Sequence, residues 1–159
     1  GSGIRVSELV NLSLSNLFFE ENLIRVTGKG NKQRLVPMGK FTKKFILFYI
    51  NNSRTQQKID SVYQDIVFLN RNGKILTRQM IFTIIKQLAL KANIKKKIGP
   101  HTFRHSFATH LLENGADIRT IQILMGHENI TTTEVYTHLD TQHLRSVIER
   151  FHPRDGSKR

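Results

Sequence analysis

Residues 99–136 contain side chains that together could act on a phosphodiester. His101 and Arg104 stand three residues apart, on what the pattern predicts to be one helix face. His127 follows a glycine, and Tyr136 lies nine residues beyond that histidine. A guanidinium neutralises phosphate oxygens, an imidazole holds or moves a proton, and a phenol can attack phosphorus. These residue types at this spacing predict a phosphoryl-transfer site.

Three residues of the N-terminal part could complete this site. Arg5 could place a second guanidinium on the same phosphate, and two guanidiniums suit a pentacovalent, doubly charged transition state. Lys29, between two glycines, could deliver an ammonium to the leaving 5′ oxygen, which becomes strongly basic as it departs. Glu8, one turn after Arg5, is expected to hold a guanidinium or a backbone amide rather than to act as an acid.

Each candidate also has a structural interpretation that the residues alone leave open. His101 can cap a helix, and His127 can be a polar residue of a turn. Arg5 and Arg104 can be solvated charges, and Lys29 an ordinary turn lysine. The remaining histidines are expected to be structural: His105, His110, His138, His143 and His152. No carboxylate cluster accompanies them in the sequence, which argues against a two-metal nuclease.

The three tyrosines differ in their sequence surroundings. Tyr49 lies in the apolar run FILFYI, and Tyr63 precedes an apolar segment, so both are expected to pack. Tyr136 lies in a polar segment, where its phenol could be presented to a ligand. Tyr136 is therefore the candidate nucleophile.

The charge of the chain favours a nucleic acid as partner. The 159 residues contain 25 Lys and Arg against 12 Asp and Glu, a net charge of +13. Such an excess on one domain is typical of nucleic-acid binders, whether enzymes or structural proteins. A membrane surface is the competing partner, but no basic amphipathic helix with exposed Trp or Phe is evident.

Cysteine is absent, which excludes disulfides and thiolate metal sites and favours a cytoplasmic location. The apolar runs are too short to span a bilayer, and no signal peptide is evident. The length fits one domain. Because a helix-like pattern starts within the first residues, we expect a fragment whose N-terminal part is missing.

The sequence patterns predict an α+β fold, mostly α-helical with a small antiparallel sheet, whose helices and strands would position these residues. A helix-like pattern around Arg5 precedes two strands, 23–27 and 33–36, joined by a basic turn. Helical periodicity covers about 41–50, and 66–69 is predicted to be a short strand.

The C-terminal half is predicted to be a series of helices. Thr77 is expected to cap a helix that ends near Ala92. Four side chains of this helix are expected to face inward: Ile81, Ile84, Ile85 and Leu88. A further helix is predicted over 102–113, and another runs from a cap at Asp117 to Gly126.

Two short helices are predicted to complete the chain. Thr131 and Glu134 form a capping box for a helix that holds the candidate nucleophile. Asp140 is expected to cap the last helix, which ends before Pro153. Residues 154–159 are expected to be a flexible tail.

Three segments of the sequence, which together contain five pieces in the same order, resemble the catalytic domain of the tyrosine recombinases. The segments are GIRVSEL, VTGKGNKQRLVP and PHTFRHSFATHLLENGADIRTIQILMGHENITTTEVYTH. The resemblance is closest to the Xer-type recombinases and related phage or transposon integrases. The resemblance extends from Gly3 to about Pro153, so residues 1–153 are expected to form the catalytic domain. Members of the family usually carry an additional N-terminal helical domain that completes a clamp around DNA.

The resemblance implies a role for each candidate residue. Arg5 and Arg104 would bind the scissile phosphate, and Lys29 would act as general acid for the 5′ hydroxyl. His101 would assist proton transfer, and His127 would hydrogen-bond the phosphate. Tyr136 would form a 3′-phosphotyrosyl link, and Glu8 would support the site. That link keeps the energy of the broken ester, so no metal, cofactor or ATP is expected.

The resemblance also implies partners. Double-stranded DNA would be the substrate, and a tetramer on DNA would exchange C-terminal helices, here residues 140–151. The alternative is that this helix folds back on its own core. Two other functions remain open: a type IB topoisomerase-like enzyme that relaxes DNA, and a non-catalytic DNA-binding module of the same fold.

Overall fold

The computed structural model describes residues 1–126 and 138–154, and for residues 138–140 only the backbone. It confirms the expected fold class, mostly helical with a small antiparallel sheet. The helices described are α1 (Val6–Val10), α2 (Lys40–Asn52), α3 (Arg78–Lys91), α4 (Pro100–Glu113), α5 (Ile118–Met125) and α6 (His138–Phe151). The strands described are β1 (Leu17–Phe18), β2 (Leu23–Thr27) and β3 (Gln33–Pro37).

The sheet is antiparallel in the order β1-β2-β3, and the predicted hairpin is its β2–β3 half. The register pairs Ile24 with Val36 and Val26 with Arg34. Because side chains alternate between the two faces of a strand, Arg34 lies on the same inward face as Val36. Ile24, Val26 and Val36 are buried, and Arg34 is buried beside them.

Two hydrophobic clusters hold the elements together. The first joins the sheet to α2 and the segment after it: Leu12, Leu17, Ile24, Val26, Val36, Met38, Ile46 and Val67. The second joins α4, α5 and α6: Phe107, Leu111, Ala116, Ile121, Leu124, Met125, Leu144, Val147 and Ile148. Helix α6 therefore folds back on the core of its own chain, which is the second of the two alternatives above.

The predicted helix signals at Thr77 and Asp117 are confirmed. The Thr77 hydroxyl accepts a hydrogen bond from the amide of Met80, and Asp117 accepts one from the amide of Thr120. Helix α5 ends at Gly126, whose φ of 67° is left-handed. A left-handed residue after the last turn is a common way to end a helix, and glycine adopts it without strain.

Three expectations about local structure are wrong. Residues 66–69 make only isolated bridges, Ser13 with Ile66 and Leu69 with Ile75, because no strand continues beside them. In α3, Ile84 and Leu88 are 43% and 58% exposed, since the neighbouring helices α1 and α4 do not cover that side. Helix α6 begins at His138, so Asp140 lies inside the helix rather than at its cap.

The remaining expectations concern the capping box at Thr131, the C-terminal tail and the lack of a membrane-spanning helix. The capping box at Thr131 and Glu134 lies outside the described residues, as do residues 155–159. The guanidinium of Arg154 lies 5.3 Å from the ring centroid of Phe41. Within the described ranges, no helix is both long and apolar enough to cross a membrane.

Candidate functional site

The C-terminal end of α5 gathers three arginines from distant parts of the chain. The carbonyl oxygens of Leu124, Met125 and Gly126 are at the negative end of the helix dipole, where they lack intrahelical donors. Each of the three accepts a hydrogen bond from one guanidinium. The donors are Arg34 Nε to Leu124, Arg104 Nη2 to Met125 and Arg5 Nη2 to Gly126.

Arg5 is placed by the start of α1. It is the N-cap of that helix, and its backbone amide donates to Glu8 Oε1 at 2.7 Å. Its Nη2 lies 3.0 Å from the Gly126 oxygen, and the side chain is 37% exposed. A guanidinium has five N–H donors, so Arg5 keeps donors that face outward.

Arg104 is placed by α4, one turn into the helix. Its Nη1 donates to the Gly3 carbonyl at 2.8 Å, while Nη2 donates to Met125. The pKa of Arg104 is lowered to about 10, first by burial and then by the positive charges of Arg5 and Arg34. Arg104 is therefore still protonated near neutral pH, and an arriving anion would relieve the repulsion among the arginines.

Glu8 is the buried counter-ion of this cluster. Its carboxylate is fully buried and accepts from both terminal nitrogens of Arg34, with Nη2 at 3.0 Å from Oε1. Its Oε2 lies 3.9 Å from Nη1 of Arg5. Three guanidiniums and one carboxylate leave two net positive charges, which matches the double negative charge of a pentacovalent phosphorane. Glu8 holds a guanidinium and a backbone amide, as its sequence position indicates.

The β2–β3 hairpin brings the turn that carries Lys29 to the edge of the cluster. A side chain at Gly28 would begin 3.6 Å from Glu8 Oε2 and 3.9 Å from Nη1 of Arg5. The Gly28 amide donates to the Lys32 carbonyl at 2.7 Å and closes the turn. Lys29 follows directly in the short 3₁₀ turn Lys29–Asn31 and is exposed. Lys29 is thus the residue next to Gly28, which lies beside Glu8 and Arg5.

His101 lies at the start of α4, one turn before Arg104, and is exposed. Its ring lies against the backbone of Gly99, since a Cβ there would be 3.2 Å from its Nδ1. His127 and Tyr136 lie outside the described residues. In the sequence, His127 directly follows Gly126, the residue whose carbonyl accepts from Arg5.

Arg34 is a member of the cluster that the sequence interpretation missed. In QRLVP the alternation of buried and exposed positions places an arginine on the same face as Val36. A charged residue on the inward face of a strand is unusual unless it is paired. This pattern is the signal that could have identified Arg34.

The arrangement of Arg5, Arg104 and the Lys29 turn can bind one phosphate and neutralise charge that develops on it. In the part of the chain that the structure describes, no three His, Asp or Glu side chains are grouped so that they could hold a metal ion. Tyr49 packs as expected: its hydroxyl accepts a hydrogen bond from the Leu69 amide, and its ring contacts Phe68.

The sequence of this chain is similar to those of known proteins. The sequence profile of the phage integrase family matches residues 1–143. The chain is 48% identical over 153 residues to tyrosine recombinase XerD of Staphylococcus aureus, covering 96% of this chain and 52% of that protein. The same protein of Staphylococcus haemolyticus is 45% identical over 153 residues, with the same coverage. The chain thus spans about half the length of the curated relatives it matches.

Solved structures show the same fold. The XerA recombinase superposes with a TM-score of 0.73 at 38% identity, over 96% of this chain and 54% of that one. The XerH site-specific recombinase, in a post-cleavage complex with a palindromic difH substrate, gives 0.69 at 28% identity over 94% and 42%. The Tn1549 transposon integrase, in complex with circular intermediate DNA, gives 0.69 at 29% identity over 90% and 53%. The chain therefore belongs to the phage integrase family, as a tyrosine recombinase catalytic domain of the Xer type.

Proposed function

We propose that this chain cleaves and rejoins DNA at specific sites, with Tyr136 as nucleophile and a 3′-phosphotyrosyl intermediate. The observation that supports it most is the pair Arg5 and Arg104, held by the carbonyls of two consecutive residues, Gly126 and Met125. The Cα atoms of consecutive residues are about 3.8 Å apart, so both guanidiniums lie at one helix end, and the charge of Arg5 is near enough to lower the pKa of Arg104. The XerH and Tn1549 proteins of the same fold are DNA complexes.

The residues divide the reaction as follows. The Tyr136 oxygen attacks phosphorus, and its proton is taken up with the help of His101. Arg5 and Arg104 neutralise the non-bridging oxygens, and His127 donates a further hydrogen bond. The bond from phosphorus to the 5′ oxygen breaks, and Lys29 gives that oxygen a proton. The 5′ hydroxyl of another strand then attacks the phosphotyrosine and releases Tyr136.

The net charge of +13 supports double-stranded DNA as the substrate. Each phosphate contact by Lys or Arg releases counterions, so binding should weaken steeply as salt rises. We place the activity in the bacterial cytoplasm, on the nucleoid, and assign it to residues 1–153 as the catalytic domain.

A tetramer on DNA is the assembly that would exchange strands in pairs. In the single chain, Leu144, Val147 and Ile148 of α6 are buried on their own core. Exchange of α6 between neighbours would bury the same side chains in a neighbour's core, so it would cost little once chains are held together on DNA. The chain away from DNA is then a monomer.

A nicked suicide duplex tests the nucleophile. Cleavage next to the nick lets a short fragment diffuse away, so wild-type protein should accumulate as a covalent protein–DNA band on a denaturing gel. The band should be absent with Tyr136→Phe, which lacks only the hydroxyl. A band that persists in this variant would remove Tyr136 as nucleophile, and relaxation of a plasmid without target sites would favour the topoisomerase alternative.

A further inference from the structure

Arg34 occupies an unusual position between the hairpin and the end of α5. It lies on β3, faces inward and is only 5% exposed. Its Nε donates to the Leu124 carbonyl at 3.2 Å, and its two terminal nitrogens donate to the two oxygens of Glu8. One planar group thus joins the strand, the helix end and the buried carboxylate.

The end of α5 is shaped around this guanidinium. A side chain at Gly126 would begin 2.8 Å from Arg34 Nε and 2.9 Å from its Cζ. The backbone of Gly126 therefore packs directly on Arg34 while its carbonyl receives Arg5. Moving Arg34 would move the carbonyls that hold both phosphate-binding arginines.

Glu8 transmits the same constraint to the start of α1. Its carboxylate is shared between Arg34 and the backbone amide of Arg5. Without Arg34, a fully buried carboxylate would lose both of the hydrogen bonds that it receives from this guanidinium. A buried ion pair adds little stability compared with apolar side chains of similar size, so fixed geometry is what this pair provides.

We propose that Arg34 is a positioning residue for phosphoryl transfer, which orients Arg5 and Arg104 through Glu8 and the last carbonyls of α5. This inference rests on the proposed function. Arg34 thus positions the phosphate-binding arginines and not the general acid Lys29, although Arg34 and Lys29 belong to the same hairpin.

The test measures single-turnover formation of the covalent complex at saturating DNA, well below the melting temperature of each variant. Arg34→Lys keeps the charge and a bond to Glu8 but cannot also reach the Leu124 carbonyl with a planar fork. Arg34→Met removes the charge. Arg54→Met is a matched control, because Arg54 is also buried and donates to two carbonyls, those of Ile66 and Gln64, outside the site.

We expect Arg34→Met to cleave about 10²-fold more slowly than wild type with nearly unchanged DNA affinity, comparable to the loss of one transition-state donor. Arg34→Lys should recover most of the melting temperature but stay at least about tenfold slow, because folding needs the charge whereas positioning needs the fork. Arg54→Met should melt earlier and cleave normally. A folded Arg34→Lys that cleaves at the wild-type rate would overturn the proposal.

A second substrate separates the two groups that Arg34 could serve. Replacing the bridging 5′ oxygen with sulfur makes a leaving group whose conjugate acid has a pKa of about 8.5, so no general acid is needed. This substrate should restore cleavage by Lys29→Met and leave the Arg34 variants slow. Its restoring the Arg34 variants would contradict the inference, while absence of any adduct with wild type would contradict the proposed function instead.

Discussion

Side chains of opposite charge bind the backbone groups at the two ends of α5. At the N-terminal end, Asp117 accepts hydrogen bonds from the amide and the hydroxyl of Thr120, at 2.9 Å and 2.6 Å. At the C-terminal end, three carbonyls receive three guanidiniums. Both arrangements place charge where the helix dipole favours it.

The difference lies in how far along the chain the partners come from. Asp117 and Thr120 are three residues apart, so the N-terminal cap is a local feature. Arg5 is 121 residues from Gly126, and Arg34 is 90 residues from Leu124. A local cap stabilises one helix, whereas the distant one makes the helix end a point where α1, β3 and α4 meet. We expect function to depend on the second end alone.

The largest difference between the two ends is expected in the cleavage rates of Arg104→Ala and Asp117→Ala. Arg104 lies at the C-terminal end of α5 and Asp117 at the N-terminal end. Arg104→Ala removes a guanidinium that bonds Met125 and is assigned to the phosphate, so cleavage of the suicide duplex should slow by about 10²–10³-fold or more. Asp117→Ala should leave the cleavage rate of the folded protein unchanged. Wild-type rates in Arg104→Ala would remove that residue from the site.

Gly126→Ala should affect both stability and cleavage. Alanine would be strained at a φ of 67°, and its Cβ would overlap the buried Arg34 guanidinium. We expect a loss of about 2 kcal/mol or more in the free energy of unfolding, measured by chemical denaturation, together with slower cleavage.

Gly30→Ala is the matched control for that substitution. Gly30 has nearly the same φ, 69°, but nothing lies within 4 Å of the position of its Cβ. It should therefore cost only the conformational strain, about 1 kcal/mol. Equal losses in the two variants would show that the contact with Arg34 is not what restricts position 126.

Features that depend on neighbouring residues are predicted from the sequence more accurately than features that depend on distant ones. The caps at Thr77 and Asp117 and the stop at Gly126 are fixed by neighbours within a few residues, and all three are confirmed. The strand at 66–69 was wrong because a strand needs a continuous partner, which local composition does not reveal. Helical periodicity identified α3 but not which apolar side chains its neighbours cover, hence the error at Ile84.

The site was predictable in part for the same reason. Arg5 and Arg104 were grouped by residue type and by resemblance, and the structure brings them to adjacent carbonyls. Arg34 depends on the hairpin register and on a helix end 90 residues away, so no short pattern marks its role. Only its inward position on β3 was visible in the sequence.

The pH dependence of stability should distinguish the two ends by the smallest effect. The pKa of Asp117 is lowered, chiefly by the hydrogen bond from the Thr120 hydroxyl and then by that from its amide. A carboxylate whose folded pKa is below its unfolded one stabilises the fold above the unfolded pKa, and this contribution is lost as pH falls through the folded pKa.

Asp117→Asn keeps a good helix cap but cannot titrate. The melting temperature of wild type should therefore fall relative to that of the variant as pH is lowered from about 5 to about 2. If the melting temperatures of wild type and variant instead change in parallel over this pH range, the N-terminal end depends on cap geometry and not on charge. At the other end, Arg104 stays protonated throughout this range, because its pKa, although lowered, is about 10. Acid therefore removes the negative charge of Asp117 from one end of α5 and leaves the positive charge of Arg104 at the other.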